Sequence, residues 1–234
     1  MTDAIAATRK DLQQTISKSI SLPGLASISW IRHGFTTRAM GDLGVFPQKF
    51  AREGLPARLK NVLRDLGMDD SKAALAQQVH ETQVCPVWLD DPAPSLRERT
   101  DALICNSPGI PLVTFGADCP NVFLVDLAKK AIGLAHSGRL GTLARIVPKT
   151  IAAMHREFGT QSKDLIAAIS PSIGPCCYPT DLWGMLRSQL METGVAEIFH
   201  ERVCTCCNAD KFYSYRKSKN SCGRMMGALM ITIA

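Results

Sequence analysis

The stretch Phe115–Gly141 reads FGADCPNVFLVDLAKKAIGLAHSGRLG. Two short apolar runs, NVFLVDL and AIGLAHS, flank the pair Lys129–Lys130. Runs of this length between turn-forming and charged residues read as strands, and the pair reads as a hairpin turning at the lysines. Neither run alternates with polar residues, so both strands are expected to be buried on two faces. The stretch also carries Cys119, after Asp118, and His136, just before a Gly-flanked loop that would let a ligand approach the backbone.

Similar runs surround the hairpin. ASISWIRHGFTT is alternating and β-branched, and QVCPVWL, DALICN, IPLVTF, LIAAISPSIG and the closing RMMGALMITIA are short and apolar, so all read as strands. After Pro56, the residues Leu59, Val62, Leu63 and Leu66 mark one face of an amphipathic helix that stops at Gly67. Leu143, Val147, Ile151, Met154 and Phe158 line a second helical face, with Pro148 expected to kink that helix or delay its start. DLWGMLRSQLMETG is a third helix, capped by Thr180 or Asp181 and stopped at Gly194. Many short strands with three or four helices give an α+β class, a single layered domain of mixed β-sheets flanked by helices. No repeat and no Gly/Ser linker divides the chain. The domain is placed at 21–234, with residues 1–20 as a polar helical arm.

Composition narrows the classes. The chain has 234 residues, 46% hydrophobic and 21% charged, enough for a sizeable core in a soluble protein. No apolar run reaches the ~18 residues that span a bilayer, and the opening segment lacks the apolar core of a secretory signal. A cytoplasmic monomer without a membrane partner is expected. The net charge of +6 comes from scattered residues. Its densest cluster, RKSK at Arg216, is short and reads as solvated surface, so no nucleic-acid partner is expected. The nine cysteines are an odd set, which argues against a disulfide framework and for free thiols.

Five histidines are present. His155 and His200 read as surface residues, whereas His33, His80 and His136 stand at the ends of predicted strands. QQVHETQV resembles the opening of H-E-x-x-H, but Val84 occupies the second ligand position. His80 alone reads as structural more readily than catalytic. Cys119 reads either as a buried small hydrophobe or as a thiolate stabilised by an imidazolium or a metal. Two histidines and one cysteine match the three-ligand count of catalytic zinc with one open position, provided three strand ends converge. A second concentration lies at Cys176 and Cys177 in IGPCCYPTD and at Cys204, Cys206 and Cys207 in VCTCCNAD. Read as C-x-C-C with no accompanying C-x-x-C, and with adjacent cysteines poorly placed to share one tetrahedral ion, these are expected to be packing thiols rather than a second metal site.

HGFTTR, QVH, DALICNSPGIPLVTFGADCPNVFLVD, AHSGRLG, IGPCCY, CTCC and FYSYR…GRMM occur together in one order. In that order and rough spacing the chain resembles the multicopper polyphenol oxidase, or laccase-domain, family over roughly residues 25–234. Members of that family are described as purine nucleoside phosphorylases with adenosine deaminase activity, and some bacterial members as peptidoglycan editing factors. The resemblance implies an α/β domain of mixed sheets, and a metal triad at His80, Cys119 and His136 that also carries the catalysis. It implies purine nucleosides, methylthioadenosine and phosphate as substrates. Two departures stand out. Where the family has HAGWRG this chain has HSGRLG, with Arg139 at the Trp position and Leu140 at the Arg position, and HGFTTRAMGDLG lacks the usual Gly-Gly.

On these expectations zinc would sit on His80, Cys119 and His136, and copper could occupy the same N/S site in vitro. Arg38 and Arg139 are the phosphate-binding candidates, since guanidinium matches phosphate bidentately. Asp118 and Glu81 are weaker candidates for an acid, because neighbours along a strand point to opposite faces. The alternatives are a metal-free Cys–His hydrolase acting on peptidoglycan precursors, a copper-dependent phenol oxidase, for which five histidines are few, and a non-enzymatic protein that kept the fold.

Overall fold

Asn121–Asp126 and Ala131–His136 pair antiparallel, with Asn121 opposite His136 and Asp126 opposite Ala131, so the central hairpin forms as read. Asp126 closes the turn by accepting the N–H groups of Ala128 and Lys129, both at 2.9 Å. These coordinates are a computed structural model that describes residues 19–45 and 47–233. The arm expected over 1–20 lies outside the described residues except for Ser19–Ile20, which form the first strand.

In chain order the strands are β1 (Ser19–Ile20), β2 (Ile31–Thr36), β3 (Ala74–Ala76), β4 (Val84–Pro86), β5 (Ser95–Arg97), β6 (Ala102–Cys105), β7 (Leu112–Gly116), β8 (Asn121–Asp126), β9 (Ala131–His136), β10 (Leu165–Ile169), β11 (Glu197–His200) and β12 (Met225–Ile231). They form two six-stranded sheets, ordered β1-β2-β12-β7-β3-β5 and β11-β10-β8-β9-β6-β4. Both are mixed: β3 pairs parallel with β5 and β7, and β10 pairs parallel with β11, among antiparallel neighbours. The helices are α1 (Pro47–Glu53), α2 (Ala57–Asp65), α3 (Arg139–Leu143), α4 (Ile146–Phe158), α5 (Leu182–Glu192) and α6 (Tyr215–Ser218).

The layering follows from where apolar faces must go. Phe35, Leu112 and Leu229 of the first sheet meet Leu103, Phe123 and Leu134 of the second in one inner core. Outside the second sheet, α4 lays Ile146, Val147, Ile151 and Met154 on Val122, Leu124 and Ala135. Outside the first, α2 lays Leu59, Val62 and Leu63 on Leu75, Val113 and Met226. Strands β7, β8, β9 and β10 are therefore buried on both faces, which is why they lack alternation. Each large core side chain such as Phe123 contributes about 1.5–3 kcal/mol by leaving water. Gly133 lets α4 come close: a Cβ there would stand 2.9 Å from the Met154 sulfur.

Pro148 delays its helix rather than kinking it. The chain breaks after α3 at Arg145, whose φ is 63°, and α4 begins at Ile146. Pro148 then lies in the first turn, where its missing N–H has no helical partner to lose. Leu143 belongs to α3 and is exposed, so it leaves the face to which its spacing assigned it. His200 corrects a surface assignment. It ends β11, half-buried, with its ring edge-on to Trp183 at 5.0 Å, and burial depresses its pKa to about 4. No helix among the described residues is long and apolar enough to cross a membrane.

Candidate metal centre

His80, Cys119 and His136 converge where the chain passes between the sheets. His80 follows β3 of the first sheet, Cys119 joins β7 of the first to β8 of the second, and His136 ends β9. One ligand atom from each lies within 4.8 Å of the others, and the two imidazoles meet edge to face at 4.8 Å.

Asp101 builds this convergence. Its carboxylate, fully buried at the start of β6, accepts the N–H groups of Val79 at 3.1 Å, His80 at 3.0 Å and Glu81 at 3.0 Å. It also accepts Nδ1–H of His136 at 2.8 Å, while the His136 N–H donates to the Asp101 carbonyl at 2.8 Å. One residue thus bends the His80 loop and orients the His136 ring. The bend holds His80 at φ 63°, a left-handed conformation that costs a non-glycine residue about 1–2 kcal/mol. Three N–H bonds to a buried carboxylate offset that cost. Upstream, Gln78 clasps the backbone of Phe115 from both sides at 2.7 Å, which fixes the loop against β7.

Gly138 leaves the space in front of the ligands clear. A Cβ there would stand 2.8 Å from Cδ2 of His80 and 3.1 Å from the Cys119 sulfur. The donor set, its spacing, the cleared space and a carboxylate behind one histidine all fit a divalent metal ion.

Charge in the centre is coupled. Burial works to raise the Cys119 thiol, but the His136 charge and hydrogen bonds from His136 and His80 outweigh it and hold the thiol down to about 6. Burial works against a charged His136, but the Cys119 thiolate and Asp101 carry it up to about 9. For Asp101 burial again opposes charge, and the His136 bond and charge with the backbone donors keep it below the ordinary carboxylate value. With no metal bound, these directions favour an imidazolium between a thiolate and a carboxylate near neutral pH.

The centre floors a cavity of about 920 Å³. Arg139, at the start of α3, lines it, whereas Leu140 points to solvent. Arg216, Lys219 and Arg224 also line it, so part of the RKSK cluster read as plain surface faces the cavity. Arg38 does not line it: its guanidinium donates to the Ala209 carbonyl and lies 5.0 Å over the Tyr213 ring. Asp118 accepts from Thr205 Oγ1 at 2.7 Å and from the Arg216 N–H at 2.6 Å, and so ties two distant loops beside Cys119. Glu81 pairs with Arg99 at the surface at 2.8 Å. His33 lies inside β2, where its Nε2 accepts the Leu22 N–H at 3.0 Å, away from the centre. Asp101 was the functional residue the sequence hid; its signal is only that it opens the strand DALICN.

A second group of sulfurs gathers Cys176, Cys177, Cys204 and Cys207 within 4.8 Å of one another, without Cys206. Cys204 and Cys207 form a C-x-x-C that the C-x-C-C reading passed over. A turn at Gly174 brings both adjacent cysteines onto Cys207, each at 3.5 Å.

A sequence profile described as "Multi-copper polyphenol oxidoreductase laccase" matches residues 51–180 and 179–232. The chain belongs to that laccase family. A relative from Bacteroides thetaiotaomicron, named purine nucleoside phosphorylase, is 28% identical over 92% of this chain and 96% of its own. The mouse protein named purine nucleoside phosphorylase LACC1 is 32% identical over 62% of this chain. The matches span only 35% of the mouse protein's length and 55% of its human counterpart's. The solved structure of hypothetical protein YfiH from Bacillus licheniformis superposes with a TM-score of 0.82 at 24% identity, covering 92% of this chain and 97% of that one. The laccase-family fold is therefore shared, with its mixed sheets and flanking helices.

Proposed function

We propose that this chain is a zinc-dependent purine nucleoside phosphorylase that also accepts methylthioadenosine and deaminates adenosine. The observation that carries this reading is the His80–Cys119–His136 centre on the floor of a cavity lined by both cations and aromatic rings. The names of the relatives support the same substrate class.

Zinc held by His80, Cys119 and His136 would supply a Lewis acid and a water of lowered pKa at an open position. Asp101 holds the Nδ1 proton of His136, which leaves the other ring nitrogen for the Cys119 side. Phe115, Tyr178 and Tyr215 line the cavity and supply aromatic surface for a purine. Arg139, Arg216, Lys219 and Arg224 offer positive charge to phosphate. In phosphorolysis a phosphate oxygen bonds to the anomeric carbon as the glycosidic bond breaks, and the purine leaves with the electron pair. In deamination water replaces the amine on the purine ring. Arg139 takes the phosphate-contacting role in the altered HSGRLG loop, and Arg38 is set aside because its side chain is engaged elsewhere.

Incubation with adenosine and phosphate, followed by chromatography, tests the reading. Adenine with ribose 1-phosphate should appear only with phosphate, and inosine without it. Full turnover by Cys119→Ala would overturn the assignment. The Cys119 thiolate beside the His136 imidazolium supports one second reading, a metal-free Cys–His hydrolase. Turnover that survives chelation would favour it. A three-ligand centre offers one metal position, so the older reading as a phenol oxidase with several coppers finds no ligands for them at this centre.

A further inference from the structure

We propose that Cys176, Cys177, Cys204 and Cys207 form a second, tetrathiolate metal site, structural rather than catalytic, that takes zinc. All four sulfurs lie within 4.8 Å of one another, and the Cys207 sulfur stands 3.5 Å from both Cys176 and Cys177. Four thiolates about 2.3 Å from one tetrahedral ion stand roughly 3.8 Å apart, so the cluster is close to that spacing already. Soft thiolates in a tetrahedral set select zinc.

Two turns carry the ligands, and both present sulfur inward. The N–H groups of Cys177 and Tyr178 donate to the Gly174 carbonyl at 3.0 and 3.1 Å, which curls the Cys176–Cys177 pair towards one point. The N–H of Asn208 and its side-chain amide donate to the Cys204 carbonyl at 3.1 and 2.8 Å, which closes the C-x-x-C turn. The Gly174 N–H donates to the Cys204 sulfur at 3.3 Å. A backbone donor on a buried sulfur is the outer partner that stabilises a ligating thiolate. Cys206 lies outside the four-sulfur group and packs against Ile173, Leu182 and Cys204, a small apolar cluster that Cys177 also joins. The sequence C-T-C-C thus splits into two ligands and one packing residue.

The site would brace the active cavity. The first turn carries Tyr178 into the cavity wall. The second is bridged to Ser172, in the loop after β10, and holds Thr205, whose hydroxyl reaches Asp118 beside Cys119. On binding, the ion displaces the thiol protons to solvent, and no electrons move.

Metal analysis of the full chain purified under reducing conditions tests this. Wild type should hold about two zinc per chain, Cys119→Ala about one, and Cys119→Ala with Cys207→Ser none. Cys207 is exposed, so its replacement by serine spares the core. Cys206→Ser should retain about two. Cobalt loaded into Cys119→Ala should show the intense sulfur-to-cobalt charge-transfer absorption of a tetrathiolate, lost with Cys207→Ser. Wild type with about one zinc and Cys119→Ala with none would overturn the second site and leave the catalytic centre standing. One zinc in both proteins would support the second site and sink zinc at the first.

Discussion

The His80–Cys119–His136 centre and the four-sulfur cluster both gather soft ligands within 4.8 Å, but different things hold them. In the first, a buried carboxylate with four hydrogen bonds positions two of the three ligands from behind. In the second, the sulfurs sit on two turns closed by backbone N–H groups and the Asn208 side-chain amide, with the Gly174 N–H donating to the Cys204 sulfur. Both groups are gathered with no ion in place, the first braced by a buried side-chain carboxylate and the second by the hydrogen bonds of its two turns. The first arrangement suits a centre that keeps an open position, the second a four-ligand structural site.

The strongest way to break the comparison is to remove the organiser. Asp101→Ala leaves the part-buried N–H groups of Val79, His80 and Glu81 without their acceptor and the buried His136 Nδ1 without its carboxylate. Removing one partner of a buried charged network costs about 3–5 kcal/mol. Urea unfolding should show a loss of that size, with metal lost from the first centre and kept at the second. A loss below about 1 kcal/mol, with both metals retained, would show that the carboxylate organises nothing.

A finer test separates metal binding from folding. Gly138 precedes α3 with φ −66° and ψ 176°, a conformation open to alanine. Gly138→Ala should therefore leave the melting temperature almost unchanged, while its methyl group crowds His80 and the Cys119 sulfur. The expected cost is about 10–100-fold in zinc affinity at the first centre and none at the second, the size seen when groups around a metal's ligands are disturbed. Competition with a chromophoric chelator measures both.

The same contrast explains what could be read before the fold was known. The apolar runs of β7 to β10 and the helical face of α2 follow from burial, and burial leaves a pattern in sequence. Cys119 and His136 stood out at the ends of such runs, but the pattern left their roles open, and the family resemblance joined them with His80 as candidate ligands. Asp101 was not legible, because its importance lies in three N–H groups some twenty positions upstream, and a carboxylate at a strand start looks like any polar flank. Strands β3 and β5, of three residues each, are too short to show a period. Arg216 and Lys219 looked like solvated charge until Asp118 drew the Arg216 backbone to the cavity. The four-sulfur cluster depends on a turn at Gly174 and on two loops meeting, neither of which spacing records.

The last test uses protons to tell the two sites apart. At the first centre the metal-free thiol is ionised above about 6, while His136 keeps its proton up to about 9. A divalent ion needs the thiolate and the neutral imidazole, so between those values one proton must leave, from His136. Zinc affinity there should rise about tenfold per pH unit from pH 6 to pH 9 and level off above, about 1.4 kcal/mol per unit. In the cluster, hydrogen bonds among the sulfurs hold Cys176 up to about 11 and push Cys177 up as well. At least two protons must then leave, so its affinity should climb at least a hundredfold per unit over the same range. Calorimetric titration in buffers of different ionisation enthalpy counts the protons directly, with Cys119→Ala isolating the cluster and Cys207→Ser isolating the centre. Equal proton counts at the two sites would erase the contrast, because they would mean that the cluster thiols are not held protonated beyond what the His136 proton accounts for at the centre.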